Sequence, residues 1–479
     1  MNHGTQIAKN AAWLMAATTG QKIIAFLVFT LIARWVGVEI TGRYFFAVSV
    51  TSVFVILTDL GMTPVVIREL AADAERGLCA LKRALIAKAF LIPLTVALTM
   101  TYALLTQGST QDWVAIGLAC FVMSADAVSL IWYGAIRGKR QLRYEALGMF
   151  VGQFLTAIVS LTAAGLLHAG VNGLIVALMA GSFWNVGWSI WRAKKLGVHV
   201  AGLTPWPWKD LFIAALPFAL AGIFVKVYSY VDTLLLKQFH DATAVGYYAI
   251  AYKVTYAFQF MPLAFVAALY PGLSAVHASG DREGLKRVVQ GSLRLMIVIA
   301  APLSAALSAF SVRVIPLVYG EAYRGSVVVL GVLAWVLIPI FLDFPIGSLL
   351  NATHRAGKKT MAMGITMVVN VVANILLVPT HGPIGAAWAG FLSFWVLFFV
   401  GVWFVRHDLD LAWFARLFGK GLLTAVFVWL AILYPFASLS LPVAILLAMA
   451  LALGLLIGLG LVGKEDMAFV RSWVGKGKK

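Results

Sequence analysis

Seven charged residues interrupt long apolar stretches of the sequence, and these side chains could carry the chemistry of a binding site. They are Lys22, Asp59, Asp126, Lys226, Asp232, Lys253 and Asp343. A charge in hydrocarbon is costly, so such residues usually face a polar cavity or a partner of opposite charge. The lysines could bind an anion, while the aspartates could take part in gating or form ion pairs. A purely structural ion pair is the alternative for each residue, for example Lys22 with Asp59.

Two of these lysines occupy matching positions in an internal repeat. Residues 21–54 align with residues 225–258 at a constant offset of 204, with eight identities in 34 positions. The identical pairs include Lys22 with Lys226, Gly42 with Gly246, and Tyr44 with Tyr248. Each copy contains an apolar segment with a lysine inside it, a short polar turn and a second apolar segment. We interpret the copies as parts of two lobes that face one cavity, with the lysines on opposite walls.

The composition is that of a polytopic membrane protein. The chain has 479 residues, of which 62% are hydrophobic and 12% charged, and its mean hydropathy is +0.93. Charged residues make up about 25% of an ordinary soluble domain. Cys79 and Cys120 are expected to be free thiols. The first apolar run lacks the features of a cleavable signal peptide, so we expect it to remain as a helix.

Fourteen apolar segments are long enough to cross a bilayer, which requires about 20 residues. Their approximate limits are 11–36, 44–67, 84–106, 113–136, 147–167, 171–191, 211–236, 245–271, 293–319, 326–350, 361–378, 384–405, 414–435 and 441–462. Helices satisfy their own backbone groups in lipid, so we predict an all-α protein with fourteen transmembrane helices. Asp232 and Lys253 then lie at similar depths on helices seven and eight, and we predict that they pair.

The basic residues predict the orientation. With the N-terminus in the cytoplasm, 29 of the 37 lysines and arginines fall on the inner side or in the tails, and five fall outside. This asymmetry follows the positive-inside rule and places both termini in the cytoplasm. The net charge of +18 is therefore mainly a topology signal and does not favour a nucleic-acid partner. Inner loops can contact anionic lipid headgroups, and we expect the polar stretch 278–290 to lie along the inner surface.

A second and weaker similarity between the two halves of the chain extends the repeat. Asp126 and Asp343 each precede a basic inner turn, at an offset of 217. Helices 1–6 and 7–12 would then be parallel copies related by an axis along the membrane normal. The predicted domains are an N-lobe at 1–192, a cytoplasmic linker at 193–210, a C-lobe at 211–406, and helices 13 and 14 with a basic tail at 407–479. We expect Trp206 and Trp208 of the linker to lie at headgroup level.

The sequence contains no convincing enzyme motif. The stretch 357–360 resembles the end of a phosphate-binding loop, but Ala352 stands where the leading glycine is required. The eight histidines lack metal-ligand spacing. Polar connections are too short for a catalytic domain. We therefore expect a protein that is not an enzyme and needs no metal or cofactor.

Several short stretches resemble the polysaccharide biosynthesis (oligosaccharide flippase) family, which is related to lipid II flippases and multidrug and toxic compound extrusion transporters. They are Leu31–Arg34 with Gly42, Asp59–Gly61, Arg68–Ala71, Asp232–Leu236 and Val245–Ala251. The resemblance implies two six-helix lobes around a central cavity lined by cations, to which Lys22 and Lys226 correspond by position. Lys253 is a further candidate for the binding site. The resemblance also implies that the two C-terminal helices are an addition, as in lipid flippases.

The same resemblance implies a function in the bacterial cytoplasmic membrane. Flippases of this family move undecaprenyl-diphosphate-linked oligosaccharides to the outer leaflet by alternating access. The implied partners are that substrate, membrane lipids and other polysaccharide assembly proteins. A cation-coupled drug exporter of the same fold is one alternative, which should have a cavity centred on carboxylates. A membrane glycosyltransferase or polymerase is another, which should have a large loop with catalytic carboxylates.

Overall fold

A computed structural model gives the fold of residues 3–106, 108–200 and 202–463, and all regular structure in these residues is helical. Side chains are described from residue 19 onward, except at 267, 268 and 271. The side chain of Lys9 and the basic tail after residue 463, which the predicted orientation places on the cytoplasmic side, lie outside the described residues.

The helices follow one another with short connections. In chain order they are α1 (His3–Phe54), α2 (Met62–Ala72), α3 (Ala74–Leu105), α4 (Thr110–Gly138), α5 (Leu142–Gly165), α6 (Gly170–Lys195), α7 (Trp208–Phe239), α8 (Ala242–Ala257), α9 (Phe260–Ala278), α10 (Arg282–Ala309), α11 (Ser311–Tyr319), α12 (Ser326–Leu333), α13 (Leu337–Ala352), α14 (Ala356–Val405), α15 (Leu411–Leu433) and α16 (Leu441–Gly458). Short 3-10 segments occur at Val55–Thr58, Glu321–Tyr323 and Ala334–Val336.

Twelve stretches of the described residues are long and apolar enough to cross a membrane, which makes this a multi-pass membrane protein. Two of them, Thr19–Thr58 with 40 residues and Ala356–Val405 with 50, each cover two of the segments predicted from sequence. A straight 40-residue helix would be about twice as long as the bilayer core is thick. Each stretch has a backbone break, at Gly37 and at Gly382, and is long enough for two spans. The count of fourteen spans stays a prediction.

The chain forms two compact units. The first contains residues 1–250, 318–323 and 367–389, and the second contains 251–317, 324–366 and 390–479. In the first unit, α4, α5 and α6 pack on one another, α1 packs on α5 and α7, and α2 packs on α3 and α4. One hydrophobic core of this unit includes the fully buried side chains of Met62, Leu81, Ile131 and Leu211. The lobe and linker boundaries stay predictions.

Side chains in the first unit cap both helix breaks. A break leaves the preceding carbonyls without their helical N–H donors. Near Gly37, the Tyr323 hydroxyl donates to the carbonyl oxygen of Ala33 at 2.7 Å. Near Gly382, Nε2 of His240 lies 2.8 Å from the carbonyl oxygen of Val378. The φ angles at the two glycines are 82° and 55°, which glycine adopts without the Cβ strain of other residues.

The glycine pair of the repeat forms a reciprocal crossing between α1 and α8, within the first unit. A Cβ atom on Gly42 would overlap the carbonyl oxygen of Ala242, and one on Gly246 would overlap the carbonyl oxygen of Val38. Residues 38 and 242 are themselves related by the offset of 204. The contact therefore has the two-fold character that the repeat predicts, and the two main chains touch directly.

In the second unit, α10 packs against α13 and α15. Three basic side chains fasten the pair α15 and α16 through main-chain carbonyls. Arg313 donates to the carbonyl oxygens of Phe436 and Leu439 in the turn between these helices, at 3.1 and 3.0 Å. Arg294 and Lys420 donate to the carbonyl oxygens of Leu461 and Leu459 at the end of α16, at 2.7 and 2.6 Å.

Most of the polar stretch 278–290 is helical, and its location along the inner surface stays a prediction. The helix α10 begins at Arg282, and Oδ1 of Asp281 accepts a hydrogen bond from the N–H of Gly284 at 2.8 Å. An aspartate cap satisfies one of the free N–H groups at a helix start, so the polar stretch forms the first turns of α10.

The glycine crossing leads to a stability prediction. Gly42→Ala and Gly246→Ala should each destabilise the protein by about 1–3 kcal/mol, because the added methyl group meets main-chain atoms that cannot rotate away. Gly187→Ala in α6 is the matched control, since nothing lies within 4 Å of the position that its methyl group would take. This control should be neutral or slightly stabilising. Thermal unfolding of the purified protein in detergent measures the difference, and equal unfolding temperatures for all three variants would contradict it.

Candidate functional site

Lys22 and Lys226 are cations of the first unit's helices that lack an ionic partner among the described residues. Lys22 lies in α1 before the break and is exposed, and Lys226 lies in the middle of α7 and is partly exposed. Neither forms a hydrogen bond or ion pair with another described residue. The ammonium nitrogen of Lys226 lies 5.5 Å from the centroid of the Tyr230 ring. Their location on opposite walls of one cavity stays a prediction.

Asp59 pairs with Lys88, so the suggested ion pair between Asp59 and Lys22 is wrong. The ammonium nitrogen of Lys88 lies 2.8 Å from Oδ1 of Asp59 and also donates to the carbonyl oxygen of Thr58 at 3.1 Å. The hydroxyl and N–H of Thr63 donate to the same carboxylate. The Lys88 side chain is only 3% exposed. Asp59 thus joins α2 to α3.

Asp343 pairs with Lys359 in the second unit. The Lys359 ammonium lies 2.6 Å from both carboxylate oxygens, and both side chains are largely buried. Lys359 reaches back from the start of α14 to Asp343 on α13. Sequence reasoning did not identify either lysine partner, because nothing in the local pattern distinguishes Lys88 or Lys359 from neighbouring surface lysines.

Asp232 is buried at the end of α7 and is held by hydroxyl and N–H groups. Tyr248 donates a hydrogen bond to one of its oxygens, and the N–H of Thr233 donates to the other at 2.7 Å. Tyr248 is fully buried on α8 and belongs to an identical pair of the repeat. Lys253 lies on the same helix but in the second unit, and its pairing with Asp232 stays a prediction.

Asp126 differs from the other aspartates of the spans. It lies on α4 with an exposed side chain. No lysine or arginine in the described part of the chain forms an ion pair with it. Asp126 and Asp343 therefore occupy similar positions in the sequence but differ in their partners, since Lys359 neutralises Asp343 and no described cation neutralises Asp126.

Asp112 forms an ion cluster that the sequence analysis did not predict. It lies 2.8 Å from Arg43 on α1 and 3.2 Å from Lys237 on α7, and its side chain is 2% exposed. Ser109 and Asp112 also form a reciprocal capping box at the start of α4. The Ser-x-x-Asp spacing before an apolar run was a usable signal for that cap, but not for its two basic partners. The cluster links the first copy of the repeat to the second at the predicted outer ends.

Two arginines of α3 contact the predicted linker, residues 193–210. Arg83 donates to the carbonyl oxygen of Trp206, and its guanidinium lies 4.4 Å from the Trp208 ring centroid. The guanidinium of Arg76 lies 5.1 Å from the centroid of the Trp206 ring. These tryptophans are thus cation–π partners of two arginines, and their location at headgroup level stays a prediction.

Taken together, the first unit's spans hold a carboxylate that is neutralised, Asp59, and two lysines without a described ionic partner. Such lysines can bind an anion that enters a polar cavity between helices. Within the described residues, no group of three or more histidines, cysteines, aspartates or glutamates could hold a metal ion.

The fold is similar to that of the solved structure titled "Lipid II flippase MurJ, inward closed conformation", with a TM-score of 0.72 and 14% identity, covering 92% of this chain and 97% of that one. This likeness concerns the fold alone.

The sequence comparisons identify the family. The family model described as "Polysaccharide biosynthesis protein" matches residues 7–277, so the chain belongs to the polysaccharide biosynthesis protein family. The MatE family model matches residues 217–376.

Two curated relatives are similar over most of their length. The chain is 23% identical over 394 residues to the "Probable low-salt glycan biosynthesis flippase Agl15" of Haloferax volcanii, covering 81% of each chain. It is also 23% identical over 407 residues to the "Putative O-antigen transporter" of Shigella flexneri, covering 80% of this chain and 93% of that one.

Lys88 has a buried ionic partner and Lys22 has none among the described residues, and this difference can be tested by measuring the stability of variants. Lys88→Gln should cost about 3–5 kcal/mol, because it leaves Asp59 as an uncompensated buried charge. Lys22→Gln should change stability little, because its loss leaves no described carboxylate without an ionic partner. Chemical or thermal unfolding of both purified variants provides the comparison. A larger loss for Lys22→Gln than for Lys88→Gln would mean that Lys22 is the structural cation.

Proposed function

We propose that this protein is a flippase that moves undecaprenyl-diphosphate-linked oligosaccharide from the inner to the outer leaflet of the bacterial cytoplasmic membrane by alternating access. The observation that carries the proposal is that two lysines in the spans of the first unit have no ionic partner among the described residues. Asp59 is neutralised by Lys88, whereas the repeat-matched Lys22 and Lys226 have no described partner. An unpaired ammonium in a span calls for an anionic ligand or a wet cavity.

The diphosphate is the part of the substrate that suits two lysines. It carries about two negative charges, and an inside-negative potential favours its outward movement by about 2.3 kcal/mol per charge for each 100 mV. Lys22 and Lys226 would replace water around the diphosphate, while the lipid tail remains in the bilayer. Two ammoniums facing one cavity repel each other when it is empty, and a dianion between them removes that repulsion.

Support for the substrate class comes from the relatives. A glycan biosynthesis flippase and an O-antigen transporter are similar over about four-fifths of this chain. The expected partners are the lipid-linked oligosaccharide, membrane lipids and other polysaccharide assembly proteins. We place both termini in the cytoplasm on the distribution of basic residues.

The outer ends of the helices would close the cavity towards the periplasm. Asp112 binds Arg43 and Lys237 there, beside the crossing of Gly42 and Gly246. Opening towards the outside would have to separate these contacts. We assign Asp112 the role of a latch, because a buried carboxylate that neutralises two cations holds their helices together.

A cation-coupled drug exporter is the second candidate, and Asp126 is the observation that favours it. This carboxylate is exposed on its helix without a basic partner in the described residues, as a cation site would require. Resistance to cationic dyes distinguishes the candidates. A flippase should leave dye accumulation unchanged on deletion of the gene, while its lipid-linked glycan accumulates in the inner leaflet.

The two lysines should each be needed for export. Lys22→Gln and Lys226→Gln should each lower glycan export about tenfold or more, because a hydrogen bond to a charged group contributes about 1.5–3 kcal/mol. Arginine should restore part of the activity, since it keeps the charge but changes the geometry. The measurement is export in cells, normalised to membrane abundance.

Lys209→Gln is the matched control, because Lys209 lies exposed in the first turn of the same helix as Lys226. It should export normally. Full export by the Lys22→Gln, Lys226→Gln double variant at normal abundance would overturn the diphosphate site.

The latch can be tested by labelling. Leu234 lines a small pocket next to Lys237, so a cysteine there, in a protein lacking Cys79 and Cys120, reports opening to an impermeant maleimide. Asp112→Asn leaves Arg43 and Lys237 repelling each other and should speed labelling about fivefold, which corresponds to about 1 kcal/mol. Asp281→Asn removes a different helix-capping aspartate and serves as the control. Unchanged labelling in Asp112→Asn would argue against a latch.

A further inference from the structure

A cluster of cations and aromatic rings lies where α6 ends and α5 begins, outside the site discussed above. We call it the Arg192 cluster, and it consists of Arg143, Tyr144, Trp188, Trp191, Arg192 and Lys195. The guanidinium of Arg192 lies 4.6 Å from the ring centroids of Tyr144 and Trp188 and 4.3 Å from that of Trp191. Three rings thus surround one charged group.

The rings are themselves fixed in place. The indole N–H of Trp188 donates to the carbonyl oxygen of Tyr144 at 2.7 Å, which ties α6 to α5. The Trp188 and Trp191 rings lie 5.4 Å apart, one helical turn from each other. Two further cations flank the group. The Lys195 ammonium lies 4.4 Å from the Trp191 ring centroid, and the Arg143 guanidinium lies 4.6 Å from that of Tyr144.

The positive charge of this cluster is not neutralised by the described residues. None of Arg143, Arg192 and Lys195 forms an ion pair with a carboxylate in the described part of the chain. In addition, Nε of Arg192 is buried and has no hydrogen-bond partner there. Stacking against rings occupies the faces of a guanidinium, and the two terminal nitrogens of Arg192 are not among the buried atoms, so their N–H groups can meet the oxygens of a phosphate.

The location indicates where the phosphate comes from. Both helix ends belong to the basic side of the membrane, which the positive-inside rule assigns to the cytoplasm. Trp191 is 44% exposed, as is typical of an indole at the bilayer interface. Basic pockets between transmembrane helices on this side bind the headgroups of anionic lipids.

We infer that the Arg192 cluster is a binding site for the phosphate of an anionic phospholipid in the inner leaflet, with Arg192 as the principal ligand and Arg143 and Lys195 as flanking cations. This site is separate from the proposed transport function, and it would hold a resident lipid against α5 and α6. The lipid's phosphate would accept hydrogen bonds from the terminal N–H groups of Arg192, while its chains would lie against the apolar surfaces of the two helices.

The test uses the purified full-length protein and phosphatidylglycerol as the probe. Delipidated protein is mixed with phosphatidylglycerol or zwitterionic phosphatidylcholine, and the bound lipid is counted by native mass spectrometry. Unmodified protein should retain phosphatidylglycerol in preference to phosphatidylcholine. Arg192→Gln should weaken this retention about tenfold, since a charge-assisted bidentate contact is lost. Arg416→Gln, which removes an exposed arginine on α15, should bind as the unmodified protein does.

Loss of Arg192 could also loosen the packing of its three rings. The Arg143→Gln, Lys195→Gln double variant therefore provides a second measurement, because both side chains are exposed. It should keep the unfolding temperature and still lose much of the preference for phosphatidylglycerol. Equal retention of the two lipids by unmodified protein, or full retention by both variants, would overturn the site.

A third arm distinguishes the source of the phosphate. Undecaprenyl diphosphate is added in place of phospholipid, and the same variants are compared. If Arg192→Gln weakens only binding of the polyprenyl diphosphate, the cluster serves the transported lipid and the phospholipid assignment is wrong. Export by the Lys22→Gln variant is independent of this result, so failure of the lipid site and failure of the proposed function can be told apart.

Discussion

The direct contact between two main chains at Gly42 and Gly246 is the constraint on which the first unit depends. Because neither residue has a side chain, the second half of α1 can lie against α8 with carbonyl oxygens at the contact. The close approach of α1 and α8 leaves no room for adjustment. Because only a short turn separates α7 from α8, this contact also fixes where α7 meets α1. The ion cluster at Asp112 requires that arrangement, since Arg43 and Lys237 reach the same carboxylate from α1 and from α7.

The partners of the charged residues in the spans reflect the free-energy cost of leaving an unpaired charge in hydrocarbon. Asp59 and Asp343 each have a lysine, and Asp232 has the Tyr248 hydroxyl and a backbone N–H. What distinguishes Lys22 and Lys226 is that the protein supplies no such partner among the described residues. The distinction between structural and functional charges therefore lies in the partner, since all of these residues look alike in the sequence.

Much of the architecture could be predicted from sequence because it depends on local patterns. Apolar length indicated the helices, and the repeat identified Gly42 and Gly246 as equivalent before their contact was known. The partners could not be predicted, since Lys88 lies 29 positions from Asp59 and looks like an ordinary loop lysine. Asp112 was missed for the same reason, because its ligands come from helices far apart in the chain. A helix break such as the one at Gly37 could not be distinguished in the sequence from the ordinary end of an apolar segment, because a sharp bend involves only a few residues.

The attachment of α15 and α16 has an evolutionary consequence. Arg313, Arg294 and Lys420 hold these two helices through carbonyl oxygens of the main chain. Every residue type supplies such an oxygen, so the turn between the helices and the segment after α16 can change sequence without losing the attachment. Selection would then act on the three donors and on the length of the turn. Homologues should accordingly show drift in composition at 434–440 together with few insertions or deletions, and the same turn should accept an epitope only as a replacement of equal length.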